Sequence, residues 1–171
     1  HEETLLGTAR RAGTPTAQIP APVTLEAART AAATFDPAGH PFPGCYVCGP
    51  DAPEGLHVYA SPVASRPGLL ASPVTLTEEG LPPVLAALDC PGAFASGIDE
   101  DPLLLGTFVA ALHADVPPDR EHVVTAWSTG REGRKRWSGT ALHDGDRLLA
   151  SAAATWIAVP RDHIPGTTPA A

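Results

Sequence analysis

Asp89 is a carboxylate in an apolar setting that suits proton-transfer chemistry. It lies in the apolar segment 84–96 (VLAALDCPGAFAS). A carboxylate that is partly removed from water becomes more basic, which brings its pKa toward a range useful for catalysis. The alternative is a structural role, because Asp89 stands two residues before Pro91 and could cap a short helix over residues 90–96. Both interpretations stay open at the level of sequence.

A second group with chemical potential is cationic. Arg131, Arg134, Lys135 and Arg136 lie together in the sequence GREGRKR, in a chain whose formal net charge is −8. A turn of this kind could bind phosphate groups through charge-assisted hydrogen bonds. The alternative is a solvated turn whose charges discourage edge-to-edge aggregation of a sheet.

The three cysteines, Cys45, Cys48 and Cys90, raise the question of a metal or redox site. A structural zinc needs four ligands, and His40, His57 or Cys90 could add to the Cys-x-x-Cys pair. Their spacing is irregular, and a second Cys-x-x-Cys is missing. A thioredoxin-like role would also need a βαβ context that the sequence lacks. We therefore predict no metal site and expect small residues that pack a loop under a sheet.

The composition narrows the class of protein further. An acidic chain repels a phosphate backbone, so we predict no nucleic-acid partner. No apolar run approaches the roughly 20 residues of a membrane span, and no signal-peptide pattern opens the chain, which predicts a cytoplasmic protein without membrane contact. The sequence has no G-x-S-x-G elbow, no nucleotide-binding glycine loop and no H-E-x-x-H motif, which disfavours serine-triad hydrolases, nucleotide-binding enzymes and zincins. We predict no cofactor.

The elements that must position these residues are two helices and an antiparallel sheet of about five or six strands. The first helix spans 24–34, with Thr24 as its cap, and the second lies within 80–95, where Pro82 and Pro83 suit a first helical turn. Glycine- and Asp-Gly-containing turns predict hairpins in the last third of the chain. The predicted strands are 56–61, 69–76, 103–116, 123–128, 136–142 and 147–159, which makes an α+β domain.

Three segments resemble the hotdog-fold thioesterase-like superfamily. PGCYVCGPDAPEGLHV resembles its C-[FY]-x-C-G-…-G-L segment, VLAALDCPGAFA resembles its central helix, and the strands from 103 onward resemble the rest of its sheet, so that the match covers about residues 40–159. The nearest types are the phenylacetate-pathway acyl-CoA thioesterases and related actinobacterial-type proteins. The resemblance implies a central helix wrapped by a curved antiparallel sheet, with Asp89 as base or nucleophile against an acyl-CoA carbonyl. It also implies active sites at the interface of a homodimer or of tandem hotdog domains.

One departure from the family pattern affects the expected activity. Phenylacetate-pathway enzymes carry His-Gly-Gly where this chain has Gly80, Leu81 and Pro82. A proline has no N–H to donate, so the usual oxyanion arrangement cannot be intact there. Two functions follow. One is an acyl-CoA thioesterase-like hydrolase with Asp89 as catalytic residue and Arg131, Arg134 and Lys135 touching CoA. The other is a catalytically silent acyl-CoA-binding or assembly domain.

The predicted organisation has three parts. Residues 1–39 form a linker and a short helix, residues 40–160 the hotdog domain, and residues 161–171 a flexible tail. The sequence contains no methionine, and HEETLLGTA at its start resembles HDGDRLLASA at 143–152. This faint repeat suggests that the chain begins in the last strand of a preceding, similar domain.

Overall fold

The computed structural model describes residues 8–38 and 40–160. The predicted tail 161–171 and most of the repeat-like segment 1–9 lie outside the described residues, and the three-part organisation stays a prediction.

The first helix, α1, spans Leu25–Ala32. Its N-cap is Thr24, whose hydroxyl oxygen accepts a hydrogen bond from the backbone N–H of Ala27 at 3.2 Å, as the sequence predicts. The buried face of α1 packs against one face of the sheet, in a cluster that includes Leu69 and Trp127. The N-terminal region therefore covers a sheet face, which the sequence did not indicate.

Six strands form one antiparallel sheet in the order β1-β2-β4-β5-β6-β3. Their register brings Val124 opposite Leu142 and Ala141 opposite Ser151, so the C-terminal third forms the predicted meander. The strands are β1 (Ser61–Pro62), β2 (Leu69–Thr75), β3 (Leu103–Leu112), β4 (Glu121–Glu132), β5 (Lys135–Asp144) and β6 (Arg147–Ala158).

The prediction of a strand over 56–61 is wrong in extent, since the structure has the two-residue strand β1 (Ser61–Pro62) in this region. Leu56 and Val58 donate their backbone N–H groups to the carbonyls of Tyr46 and Val47, both at 2.8 Å, so this stretch pairs with the preceding loop instead of the sheet. His57 between them has a φ of 50°, which interrupts an extended backbone.

The second helix, α2, spans Leu81–Ala95 and runs without a break through Pro91. This contradicts the alternative in which Asp89 caps a separate helix over 90–96. The buried side of α2 covers the sheet face opposite α1, where Leu88 packs with Val124 and Leu142 in the main core cluster. In the part of the chain that the structure describes, neither helix is long and apolar enough to cross a membrane.

Candidate functional site

Asp89 lies in the interior of α2 with its carboxyl group largely removed from solvent. Its Oδ1 atom is buried and has no hydrogen-bond partner among the described residues. Burial, reinforced by the nearby Cys45, raises the pKa of Asp89 to about 6. A carboxylate in this state keeps a free lone pair and is a stronger base than an exposed aspartate, which is the property that proton abstraction requires.

Contacts with β5 set the position of the helix around Asp89. The hydroxyl of Thr140 donates to the carbonyl of Leu88 at 2.9 Å, one residue before the carboxylate. One turn of helix further, a Cβ at Gly92 would stand 2.7 Å from the Ser138 hydroxyl oxygen, so the helix and the strand touch closely here. Sequence analysis missed these positioning residues, because the alternation of β5 shows only which residues face inward and not which helix position they meet.

The N-terminus of α2 offers few donors for an oxyanion. Gly80 is the N-cap residue, and Pro82 and Pro83 follow in the first turn. A helix normally leaves its first N–H groups free to bind an anion, but a proline contributes none. The departure from the family pattern that the sequence shows at Pro82 is therefore a loss of N–H donors at the start of α2 in the folded structure.

An apolar cavity of about 170 Å³ lies between α2 and β3. Leu85 of its lining stands one helical turn before Asp89, and Leu88 directly precedes the carboxylate. A cavity with this lining suits an aliphatic or aromatic group. Its lining residues are Leu81, Val84, Leu85, Leu88, Phe108, Ala110, Ala111, Leu112 and Ala150.

The basic turn between β4 and β5 is exposed at Arg131, Arg134 and Lys135. Lys135 stands five residues along β5 from Thr140, the residue that contacts the Asp89 turn of α2, which is roughly 17 Å at about 3.4 Å per strand residue. The structure thus does not bring these cations next to Asp89.

The fourth cation of that turn, Arg136, has a different role. Its side chain is buried, donates to the Gly133 carbonyl at 2.8 Å and forms an ion pair with Asp101 at 3.0 Å. Arg136 therefore ties the turn to the segment after α2 and is not free to bind a ligand.

Cys45 and Cys48 of the loop come together with Cys90 of α2 beside Asp89. The Sγ atoms of Cys45, Cys48 and Cys90 all lie within 4.8 Å of one another. Hydrogen bonds from Cys48 and Cys90 lower the pKa of the Cys45 thiol, and the bond to Cys45 raises the pKa of Cys48 to about 12. The three thiols are therefore close enough to interact directly.

The two histidines considered as further ligands do not belong to this group. His57 Nε2 lies 2.8 Å from the Ala52 carbonyl, and the Nδ1 of His40 accepts a hydrogen bond from the Phe42 backbone at 3.0 Å.

Solved structures with this architecture exist, although neither a protein-family model nor a curated protein matches the chain. One is a thioesterase superfamily protein, with 16% identity and a TM-score of 0.58, matched over 66% of this chain and 62% of its own. Another is a phenylacetic acid degradation-related protein from Ralstonia eutropha JMP134, with 18% identity and a TM-score of 0.52, matched over 60% of this chain and 85% of its own. The chain thus spans under two thirds of the first of these proteins. At such identities the likeness concerns the fold alone, and this chain shares its fold with both of these solved structures.

Proposed function

We propose that this chain is a hotdog domain that hydrolyses an acyl-CoA thioester, with Asp89 as general base or nucleophile. The observation that carries the proposal is the buried Oδ1 atom of Asp89, which has no hydrogen-bond partner among the described residues and belongs to a residue one helical turn from the lining of an apolar cavity in a thioesterase-type fold. The cavity supplies a place for the acyl group, and Asp89, one helical turn after Leu85 of its lining, supplies the base.

The chemistry needs a group that activates water beside the thioester carbonyl. As a base, Asp89 takes a proton from water while the water oxygen attacks the carbonyl carbon. The tetrahedral intermediate then expels the CoA thiolate, which takes up the proton. As a nucleophile, the carboxylate itself attacks the carbonyl carbon, and the C–S bond breaks as CoA leaves as a thiolate. Water then hydrolyses the resulting acyl anhydride, which regenerates the carboxylate and releases the acid together with the proton that the thiolate takes up.

The direct test is release of free CoA from a panel of acyl-CoAs of increasing length and with aromatic acyl groups, followed by chromatography. We expect turnover of at least one member, with a preference for apolar acyl groups that fit a cavity of about 170 Å³. If no member of the panel is turned over at high enzyme concentration, hydrolysis is ruled out for these substrates.

The second candidate is a catalytically silent acyl-CoA-binding or assembly domain. The observation that favours it is the pair Pro82–Pro83 in the first turn of α2, where N–H donors to an oxyanion would otherwise be free. Saturable binding of a non-hydrolysable acyl-CoA analogue without turnover of the parent thioester would support this function. Turnover that depends on Asp89 would eliminate it.

The basic turn gives a separate prediction about CoA recognition. In acyl-CoA the phosphates are separated from the thioester by the pantetheine arm, which agrees with cations that lie at a distance from Asp89. Replacing Arg131, Arg134 and Lys135 together by alanine should raise KM for acyl-CoA about tenfold, since exposed ion pairs contribute roughly 0.2–1 kcal/mol each.

Two controls accompany this triple variant. The N-acetylcysteamine thioester of the same acyl group lacks the phosphates, so its KM should not change. Arg147 is an exposed cation at the start of β6, and Arg147→Ala should leave both values unchanged. An equal rise in KM for the two substrates would show that the basic turn does not bind phosphate.

We also propose that the domain works as a homodimer or beside a tandem hotdog partner. β3 is an edge strand of the sheet, and it exposes Leu104, Leu105 and Leu112 with 44–52% of their surface accessible. An apolar edge strand is a template for pairing, and covering it would bury one wall of the apolar cavity. Cytoplasmic localisation stays a prediction from the sequence.

A further inference from the structure

The sequence alone predicts no metal site, but the structure brings Cys45, Cys48 and Cys90 together, and we propose that they bind a thiophilic metal ion, with Zn²⁺ as the expected occupant. The three sulfur atoms come from two elements, a loop and helix α2, that are far apart in sequence. This inference goes beyond the proposed hydrolysis and does not depend on it.

The spacing of the sulfur atoms fits a thiolate metal site. Zinc binds thiolates at about 2.3 Å in tetrahedral geometry, which places neighbouring sulfur atoms about 3.8 Å apart. Here the Sγ atoms of Cys45 and Cys90 are 3.6 Å apart, and all three lie within 4.8 Å of one another. The ligands therefore need little movement to bind one ion.

The loop that carries the first two cysteines is built as a tight turn around Cys45. The N–H of Gly49 donates to the Cys45 carbonyl at 2.8 Å, and a Cβ at Gly49 would stand 2.4 Å from the Cys45 nitrogen. Only glycine fits such a close return of the chain.

Other parts of the fold hold this loop against α2. Cys48 is buried, and the adjoining Val47 belongs to the main core cluster with Leu88 of the helix. Metal binding would displace the thiol protons to solvent and join the loop to the helix at Cys90, the neighbour of Asp89. Three protein thiolates leave the fourth position of a tetrahedral site to water or another ligand.

The test uses the full chain, reduced and freed of metal, and titrates it with Co²⁺ and then Zn²⁺. We expect one ion per chain, with the near-ultraviolet thiolate-to-cobalt charge-transfer absorption that disappears as Zn²⁺ displaces Co²⁺. Each of the three single variants should weaken Zn²⁺ binding: Cys45→Ser, Cys48→Ser and Cys90→Ser. The loss of affinity should exceed roughly 10- to 100-fold, which is the effect of removing a residue that only contacts a metal ligand. Glu54→Gln, at an exposed acid of the same loop, should leave it unchanged.

A second measurement needs no variant and so does not depend on how the serine variants fold. The sequence has three cysteines, all in the cluster, and saturating Zn²⁺ should slow their alkylation by iodoacetamide, as read by mass spectrometry. The proposal is overturned if alkylation is equally fast with and without Zn²⁺, if no charge-transfer absorption appears, or if Cys90→Ser binds Zn²⁺ as the wild type does. None of these readouts involves thioester turnover, so the proposed hydrolysis and the metal site can fail separately.

Discussion

Replacing Asp89 with asparagine should lower kcat for acyl-CoA hydrolysis by about 10²- to 10⁴-fold, the usual contribution of a positioned general base. Asparagine has nearly the same size and shape, but its amide can neither accept a proton from water nor attack a carbonyl. Because the carboxyl oxygen Oδ1 of Asp89 is buried without a partner among the described residues, the change breaks no hydrogen bond or ion pair of that atom. KM should change much less than kcat, since the acyl group is expected to bind to the apolar lining between α2 and β3.

The matched control for this variant is Asp99→Asn, which removes an exposed carboxylate just after the end of α2. It should retain wild-type kcat. Thermal unfolding of both variants shows whether a loss of activity reflects a loss of folded protein. If Asp89→Asn hydrolyses the same substrate at the wild-type rate, Asp89 is neither base nor nucleophile. Activity would then have to come from other groups.

The β4–β5–β6 meander and α2 were predictable because their signals are local. Short turns with glycine or Asp-Gly separate runs with strand-like residues, and the register of such hairpins follows from the turn. In α2, the apolar residues and the prolines of the first turn predict a helix within 80–95, and the structure has it at Leu81–Ala95. The meander and α2 were thus accessible without knowledge of tertiary contacts.

The features that sequence analysis missed depend on contacts between distant segments. Pro91 suggests a break in α2, yet the helix continues through it, packed against the sheet and with the Thr140 hydroxyl bonded to the Leu88 carbonyl just before it. Local propensity predicts a strand over 56–61, but the cysteine loop competes for its N–H groups. Cys90 lies 42 residues after Cys48, and no spacing rule predicts that a loop and a helix bring their thiols together.

The candidate site likewise has some features that could be predicted from the sequence and others that depend on the folded structure. The position of Asp89 on a central helix could be predicted from the resemblance, and its burial could be expected from its apolar neighbours. The raised pKa also depends on Cys45, which reaches Asp89 only through the folding of the loop. The role of Arg136 as a buried partner of Asp101, in contrast to its exposed neighbours in the turn, follows from strand alternation only once the register of β5 is known.

The largest expected effect on stability lies on the other face of the sheet, at Gly139 of β5. Gly139 is paired with Trp127 of β4, and a Cβ at Gly139 would stand 2.4 Å from Cζ2 of the indole ring. Trp127 is buried in the cluster beneath α1, so its ring cannot move aside without opening that core. Gly139→Ala should therefore lower the free energy of unfolding by about 1–3 kcal/mol, the usual cost of overpacking, as measured by urea denaturation.

A double-mutant cycle with Trp127→Leu identifies the cause of that loss. Leucine removes the ring that the new methyl group meets. In the Trp127→Leu background, Gly139→Ala should leave the free energy of unfolding unchanged or raise it by roughly 0.5–1 kcal/mol, which is the gain from replacing a glycine within a strand. Gly44→Ala, where a Cβ meets no atom within 4 Å, should change stability by less than about 0.5 kcal/mol. An equal cost of Gly139→Ala in both backgrounds would show that the indole is not the obstacle.

Gly139 contacts the face opposite Asp89, while Ser138 and Thr140 on either side of it contact α2. The folded fraction of Gly139→Ala should therefore keep wild-type kcat, which separates the stability of the sheet from the chemistry of the helix it carries.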